Sequence, residues 1–232
     1  AEVKKYVNKY MPETTLSFIG LVGSQNYNLD DEDSDFDLKA VVFLPLADVI
    51  KNKKLSKVVD FQFGQVTFKD IWSFLNEAGK GNPNTLEALN STWTEWFTDT
   101  LQVARTFEVN KSALAGMFNS NIKKYRKEVF KGGYHIYRMY HLLKLNVPSY
   151  YYSESIAVDP VKETDREYLM GIKDTTFHYP EVQLQALERE VEKEMKGYNY
   201  HKDTFLIDVI VQKIKKWYLV EEVSKSYRPV EY

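Results

Sequence analysis

Residues 16–44 read LSFIGLVGSQNYNLDDEDSDFDLKAVVFL, and the fold turns on how this stretch divides. Leu16 to Val22 is a short apolar run ended by Gly23-Ser24, the pattern of a buried strand that delivers the chain to a tight turn. Asp37 to Leu44 is a second apolar run, bounded by Pro45, and reads as a second strand. Between them, six of the eight residues from Asp30 to Asp37 are acidic, a density that is repulsive unless water or cations neutralise it. A solvated acidic loop accounts for Asp30 to Asp33. It does not account for Asp35 and Asp37, which flank Phe36 at the mouth of the second strand, where a period of two puts both carboxylates on one face.

Two hard oxygen ligands side by side on a strand suit Mg2+ (or Mn2+), which accepts one or two carboxylates and completes its shell with water and phosphate oxygens. An EF-hand calcium loop is the obvious rival. It fails in both registers, because Phe36 or Leu38 stands where Gly is required and Val42 or Leu44 where the closing Glu is required. The upstream turn strengthens the metal reading. Gly23 has no side chain to keep a phosphate from the backbone N–H groups, and the Ser24 hydroxyl can bond a phosphate oxygen.

Further along, Lys57 to Phe68 carries two alternations. Val59, Phe61 and Phe63 are apolar in one phase and Val66 and Phe68 in the other, so the parity flips at Gly64-Gln65. The flip predicts a bulge there, or a two-residue hairpin turn with Gly first. A helix is predicted from about Phe68 to Ala78, closed by Gly79. After Asn82-Pro83-Asn84 the chain reads as almost wholly helical. Leu114, Met117, Phe118, Ile122 and Tyr125 recur at helical spacing, as do Ile136, Met139, Tyr140 and Leu143 after the Gly132-Gly133 break. Leu184 to Met195, stopped by Gly197, and Leu206 to Tyr218 mark two more helices. Val147 to roughly Thr164 has no clear period and reads as a long loop or lid. These boundaries predict an α+β fold, with one domain over residues 1–108 carrying a small mixed sheet, a mostly helical domain over 109–232, and the candidate site in the cleft between them.

Composition narrows the function classes. The 232 residues hold 31 Lys and Arg against 33 Asp and Glu, a net charge of −2 that gives no whole-chain signature of a protein coating nucleic acid or anionic membrane. No cysteine is present, which removes disulfides, thiolate metal sites and cysteine nucleophiles and is compatible with a reducing cytosol. No apolar run approaches the roughly 18 residues needed to cross a bilayer, and Ala1 to Tyr6 lacks the apolar core of a signal peptide. The expectation is a cytoplasmic protein without a membrane partner.

The segment Gly23-Ser24-Gln25-Asn26-Tyr27-Asn28-Leu29 followed by Ser34-Asp35-Phe36-Asp37-Leu38 resembles the signature of DNA polymerase β-like nucleotidyltransferases. Within that superfamily it is similar to a bacterial and phage family associated with RNA repair that reads G-S-x-x-Y-x-L, then S-D-x-D. Lys80-Gly81-Asn82-Pro83-Asn84-Thr85-Leu86-Glu87-Ala88-Leu89 resembles that family's K-G-N-P-N-x-x-E-x-L segment, and Lys131, His135 and Arg138 resemble its K-x-x-x-H-x-x-R.

The resemblance implies a nucleotidyltransferase-type fold and a metal-dependent enzyme that moves a nucleoside monophosphate from an NTP such as ATP to a hydroxyl or phosphate acceptor. An RNA 3′ end such as that of tRNA is the favoured acceptor. It implies Asp35 and Asp37 as metal ligands, Gly23 and Ser24 on the triphosphate, and Asn82, Lys131, His135 and Arg138 as further nucleotide contacts. It also implies a third carboxylate on a neighbouring strand. Asp60, between Val59 and Phe61, has the expected alternation, whereas counting back from Lys80 falls nearer Gln65, so the site has either Asp60 as its third acid or two acids only.

Plain structural readings stand beside these. His135 and His141 can be packing residues, Lys131 and Arg138 solvated helix charges, and Asn82 or Asn84 a helix cap with Glu87 as the capping-box partner of Asn84. The rival functions are a non-catalytic nucleotide-binding module of the same fold and an enzyme that nucleotidylates a protein or small molecule. Neither the NTP used nor the oligomeric state is written in the sequence.

Overall fold

The computed structural model describes residues 1–128, 132–144, 163–174 and 176–226. Helix α1 (Glu2–Tyr10) leads into β1 (Thr15–Val22), a 3-10 turn (Ser24–Tyr27) and β2 (Phe36–Phe43). A short α2 (Leu46–Ile50) precedes β3 (Ser56–Phe61) and β4 (Gly64–Asp70), which are followed by α3 (Ile71–Ala78), α4 (Pro83–Leu89) and β5 (Thr94–Trp96). A second 3-10 turn (Gln102–Thr106) opens the helical region of α5 (Lys111–Lys127), α6 (Gly133–Lys144), α7 (Glu163–Lys173), α8 (Glu181–Met195) and α9 (Thr204–Ser226). The strands form one mixed sheet in the order β3-β4-β2-β1-β5, antiparallel except where β2 and β4 run parallel. This is the expected α+β architecture, a small mixed sheet followed by helices.

Alternation sorts β2 between two cores. Val41 and Phe43 join Phe18, Phe74, Leu86, Phe118 and Ile214 under the helices, whereas Ala40 and Val42 join Val3 and Val7 of α1. The same alternation carries Asp37 and Lys39 onto the helix-side face. That face is therefore apolar at Val41 and Phe43, cationic at Lys39 and acidic at Asp37. Burying the apolar end anchors the strand, and its polar end is left for solvent and ligands.

Several boundaries differ from the sequence expectation. The parity flip is a hairpin whose turn is Gln62-Phe63, since Phe61 pairs with Gly64, so Gly64 opens β4 and not the turn. Glycine is needed there because φ is +137° and a Cβ would lie 2.2 Å from the Phe36 carbonyl oxygen. Strand β4 continues through the buried Phe68 to Asp70, so α3 starts at Ile71. Asp70 ends the strand and caps the helix: Oδ1 accepts from Ser73 N–H at 2.8 Å and Oδ2 from Leu55 N–H at 2.9 Å.

Helices α1, α2 and α7 were not expected. Helix α1 buries only Val3 and Val7, α2 buries nothing, and α7 buries Leu169 and Ile172, too few apolar positions to make a periodic signal. The loop predicted from Val147 to Thr164 lies outside the described residues up to residue 162, and from Glu163 the chain is helical. Among the described residues no helix is long and apolar enough to cross a membrane.

Candidate functional site

Strands β1 and β2 are antiparallel, with Val22 opposite Asp37. The end of one strand and the start of the other thus share one end of the sheet, which brings Gly23-Ser24 beside the aspartates. Gly23 has φ +83°, and a Cβ there would sit 2.9 Å from Asp37 Oδ2, so only glycine lets the turn close onto that carboxylate. Behind the turn, the buried Asn26 Oδ1 accepts from Thr92 N–H at 3.0 Å, Thr92 Oγ1 at 2.8 Å and Ser91 Oγ at 3.2 Å.

A cleft of 820 Å³ opens at this end of the sheet, and Gly23, Ser24, Asp35, Asp37, Asp60, Gln65, Tyr134, His135 and Lys173 are among its lining residues. A cavity of 230 Å³ adjoins it. The two share Gly23, Asp37, Gln65 and His135, and the smaller adds Lys39, Thr67, Glu87 and Arg138. Of the residues expected at the site, Gly23, Ser24, Asp35, Asp37, Asp60 and His135 therefore meet at the cleft, with Arg138 next to it. Asn82 lines neither space; it is the N-cap of α4, its Oδ1 accepting from Thr85 N–H at 3.3 Å. Lys131 and the side chain of His141 lie outside the described residues.

Strand β4 separates Asp60 from Asp37. Gln65 pairs with Asp37 on one side and with Asp60 on the other, and its Nε2 donates to Asp60 Oδ1 at 2.9 Å. Two strand spacings put the Cα atoms of Asp37 and Asp60 roughly 10 Å apart. Among the described residues no group of three or more His, Asp or Glu side chains is gathered as a metal-holding cluster.

Charges around the cleft are ordered by specific partners. The acidic loop is fastened to α7: Lys173 Nζ donates to Asp31 Oδ2 at 2.8 Å and to Leu29 O at 3.1 Å, while Arg166 donates to Asn28 O at 3.1 Å and Asp30 O at 2.7 Å. The hydrogen bond from Lys173, followed by that from Ser34, holds the Asp31 carboxyl down at about 2. A purely solvated loop is thus not what the sequence builds at Asp31. Burial pushes the Lys39 amine down to about 8, with Lys69 adding repulsion and Glu77 opposing it. Lys39 Nζ donates to Asn84 O at 2.7 Å. Burial raises the Tyr134 phenol to about 12, Arg138 opposing and Glu87 and Asp37 adding to the rise, so Tyr134 keeps its proton.

Glu87 is not a capping residue. Helix α4 is capped by Asn82 and starts at Pro83, which puts Glu87 more than a turn inside it. Its side chain is 4% exposed, and Oε2 accepts from Arg138 at 2.8 Å. Sequence reasoning also missed Lys39, Tyr134, Arg166 and Lys173 as site residues. Lys39 was reachable, since it lies two residues beyond Asp37 on the same face. Arg166 and Lys173 were not, because their partners lie 136 to 144 residues away.

No family model matches this chain, and no curated protein does. Among solved structures it matches a nucleotidyltransferase-like protein from Exiguobacterium sibiricum at 13% identity and a TM-score of 0.30, over 98% of this chain and 80% of that one. A likeness this distant adds nothing to the chemistry read from the cleft.

Proposed function

We propose that the protein is a metal-dependent nucleotidyltransferase that moves a nucleoside monophosphate from an NTP to a hydroxyl or phosphate acceptor, with an RNA 3′ end as the favoured acceptor. The observation that carries this reading is the register of β1 on β2, which sets the Gly23-Ser24 turn against Asp37 at the mouth of an open cleft. Asp35 and Asp37, both exposed at that mouth, would hold Mg2+ or Mn2+; two carboxylates beside a phosphate-binding turn fit an ion that takes its remaining ligands from water and phosphate. When bound, the ion supplies positive charge that favours ionisation of the acceptor hydroxyl and stabilises the departing pyrophosphate.

The chain's own contribution is position and electrostatics. The Ser24 hydroxyl and its turn orient the triphosphate, and His135 and Arg138 face it from α6. Lys39, partly buried behind Asp37, adds a cation whose charge depends on pH near 8. In the transfer the acceptor oxygen bonds to the α-phosphorus, the bond from that phosphorus to the β-bridging oxygen breaks, and pyrophosphate leaves. The acceptor proton passes to an exposed cleft carboxylate or to water. Asp60, across Gln65, contributes negative potential to the same cleft.

A second reading, nucleotide binding without transfer, is favoured by the standing of Gln65 and not an acid beside Asp37. The discriminating experiment incubates the protein with Mg2+ and each NTP radiolabelled at the α-phosphate, alone and with total tRNA, an RNA 3′ end, or lysate. Label transferred to a macromolecule and lost in Asp35→Ala supports transfer and names the acceptor class, protein nucleotidylation included. Binding without transfer under every condition overturns it in favour of the second reading.

A further inference from the structure

We propose that Glu87 is a positioning residue that holds the Gly23 turn and Arg138 in register with each other, an assignment that rests on the nucleotide-binding reading of the cleft. Helix α4 lies directly on β1: a Cβ on Gly20 would fall 2.3 Å from the Ala88 carbonyl oxygen. This contact plants Glu87, one residue earlier, beneath the phosphate turn. Its two carboxylate oxygens then serve two different walls of the site. Oε1 accepts from the Gly23 N–H at 3.4 Å, and Oε2 accepts from Arg138 of α6 at 2.8 Å.

Neither contact is a surface ornament. The Glu87 side chain is 4% exposed and that of Arg138 11%. A buried ion pair is seldom a net gain over well-packed apolar side chains of similar volume, so stability alone is a poor reason for a carboxylate here. Orientation is a better one. With Asp37 against the Gly23 Cα and Glu87 on its N–H, the turn is braced from two sides, and the same Glu87 fixes how far α6 stands from it.

The test uses the full chain and three variants: Glu87→Gln, which keeps shape and an acceptor oxygen but drops the charge, Arg138→Gln, and the two together. Fold is checked by thermal melting, turn order by hydrogen exchange over residues 22–27, and affinity by titration with Mg·ATP. Glu87→Gln should speed exchange at the turn and weaken Mg·ATP at least ~10-fold, in the range seen when a residue orienting a ligand-binding group is removed. The double variant should lose less affinity than the two single losses combined, because the Glu87–Arg138 contact is broken in both, while the Gly23 contact is weakened only by Glu87→Gln. A purely structural role lowers the melting temperature but leaves the affinity of the folded protein and the exchange of 22–27 as in the parent, and that result overturns the proposal. Should the parent bind no nucleotide at all, the functional reading falls, and the exchange measurement alone still decides whether Glu87 braces the turn.

Discussion

Asp37 and Gln65 stand opposite each other on neighbouring parallel strands, and Gln65 in turn holds Asp60 by a 2.9 Å hydrogen bond from its amide nitrogen. The residue beside the central aspartate is therefore a neutral amide, with the next carboxylate one strand further out. Gln65→Glu should place an acid directly beside Asp37 and tighten Mn2+ binding several-fold, measured by titration. Asp60→Asn should weaken it less than Asp37→Asn does. Equal losses in the two Asn variants would make Asp60 a direct ligand.

Asp35 is exposed, so changing it should cost little stability, within about 0.5 kcal/mol for a surface position away from caps and cores, whereas changing Asp37, against which the Gly23 turn closes, should cost more. Activity should fall by at least ~100-fold in either Ala variant if each holds the ion. Turnover measured beside a thermal melt separates the two effects, and full activity in both variants would remove the metal centre from this end of the sheet.

Gly23→Ala should be costly in both respects. The backbone is at φ +83° and the new methyl would meet Asp37 Oδ2 at 2.9 Å. The strain alone is worth about 1–3 kcal/mol, and relief can come only by moving the turn or the carboxylate. Reduced urea stability together with weaker Mn2+ binding is the expected pair of results.

Asp31 reports on the clamp between the acidic loop and α7. Its carboxyl is depressed from 3.8 to about 2, chiefly by Lys173, so the stabilisation is complete above 3.8 and disappears as pH falls through about 2. In Lys173→Met the Asp31 titration, followed by NMR, should move back toward 3.8. An unmoved titration would mean that Ser34, not Lys173, sets it.

Lys39 gives the same direction of pH dependence in a higher window, but here it is the charged form that the fold disfavours. Its pKa is lowered from 10.5 to about 8, so between these values the unfolded chain binds more protons and stability rises with pH. Below about 8 the half-buried amine is charged and the fold carries the whole of this destabilisation. Lys39→Met should therefore compare more favourably with the parent at roughly pH 7 than at roughly pH 10 in urea unfolding. If phosphate contacts use this amine, nucleotide affinity should also weaken above about pH 8 in the parent only.

What could be read from the chain alone follows from short range. The apolar run to Val22, the Gly23-Ser24 stop and the Asp-Phe-Asp mouth of β2 depend on alternation and turn chemistry within a few residues, and these located the strands, the α+β class and the acids of the cleft. The parity flip at Gly64 revealed a reversal but not its position, because alternation is blind to which two residues make the turn. Tertiary structure alone decided the rest. Glu87 met Gly23 and Arg138 only once α4 was laid on β1, Asp31 gained its ion pair only when Lys173 arrived from α7, and Asp60 could be set one strand away from Asp37 only once β4 was known to run between them. Each of these depends on partners far apart in the chain, and residue spacing carries no record of them.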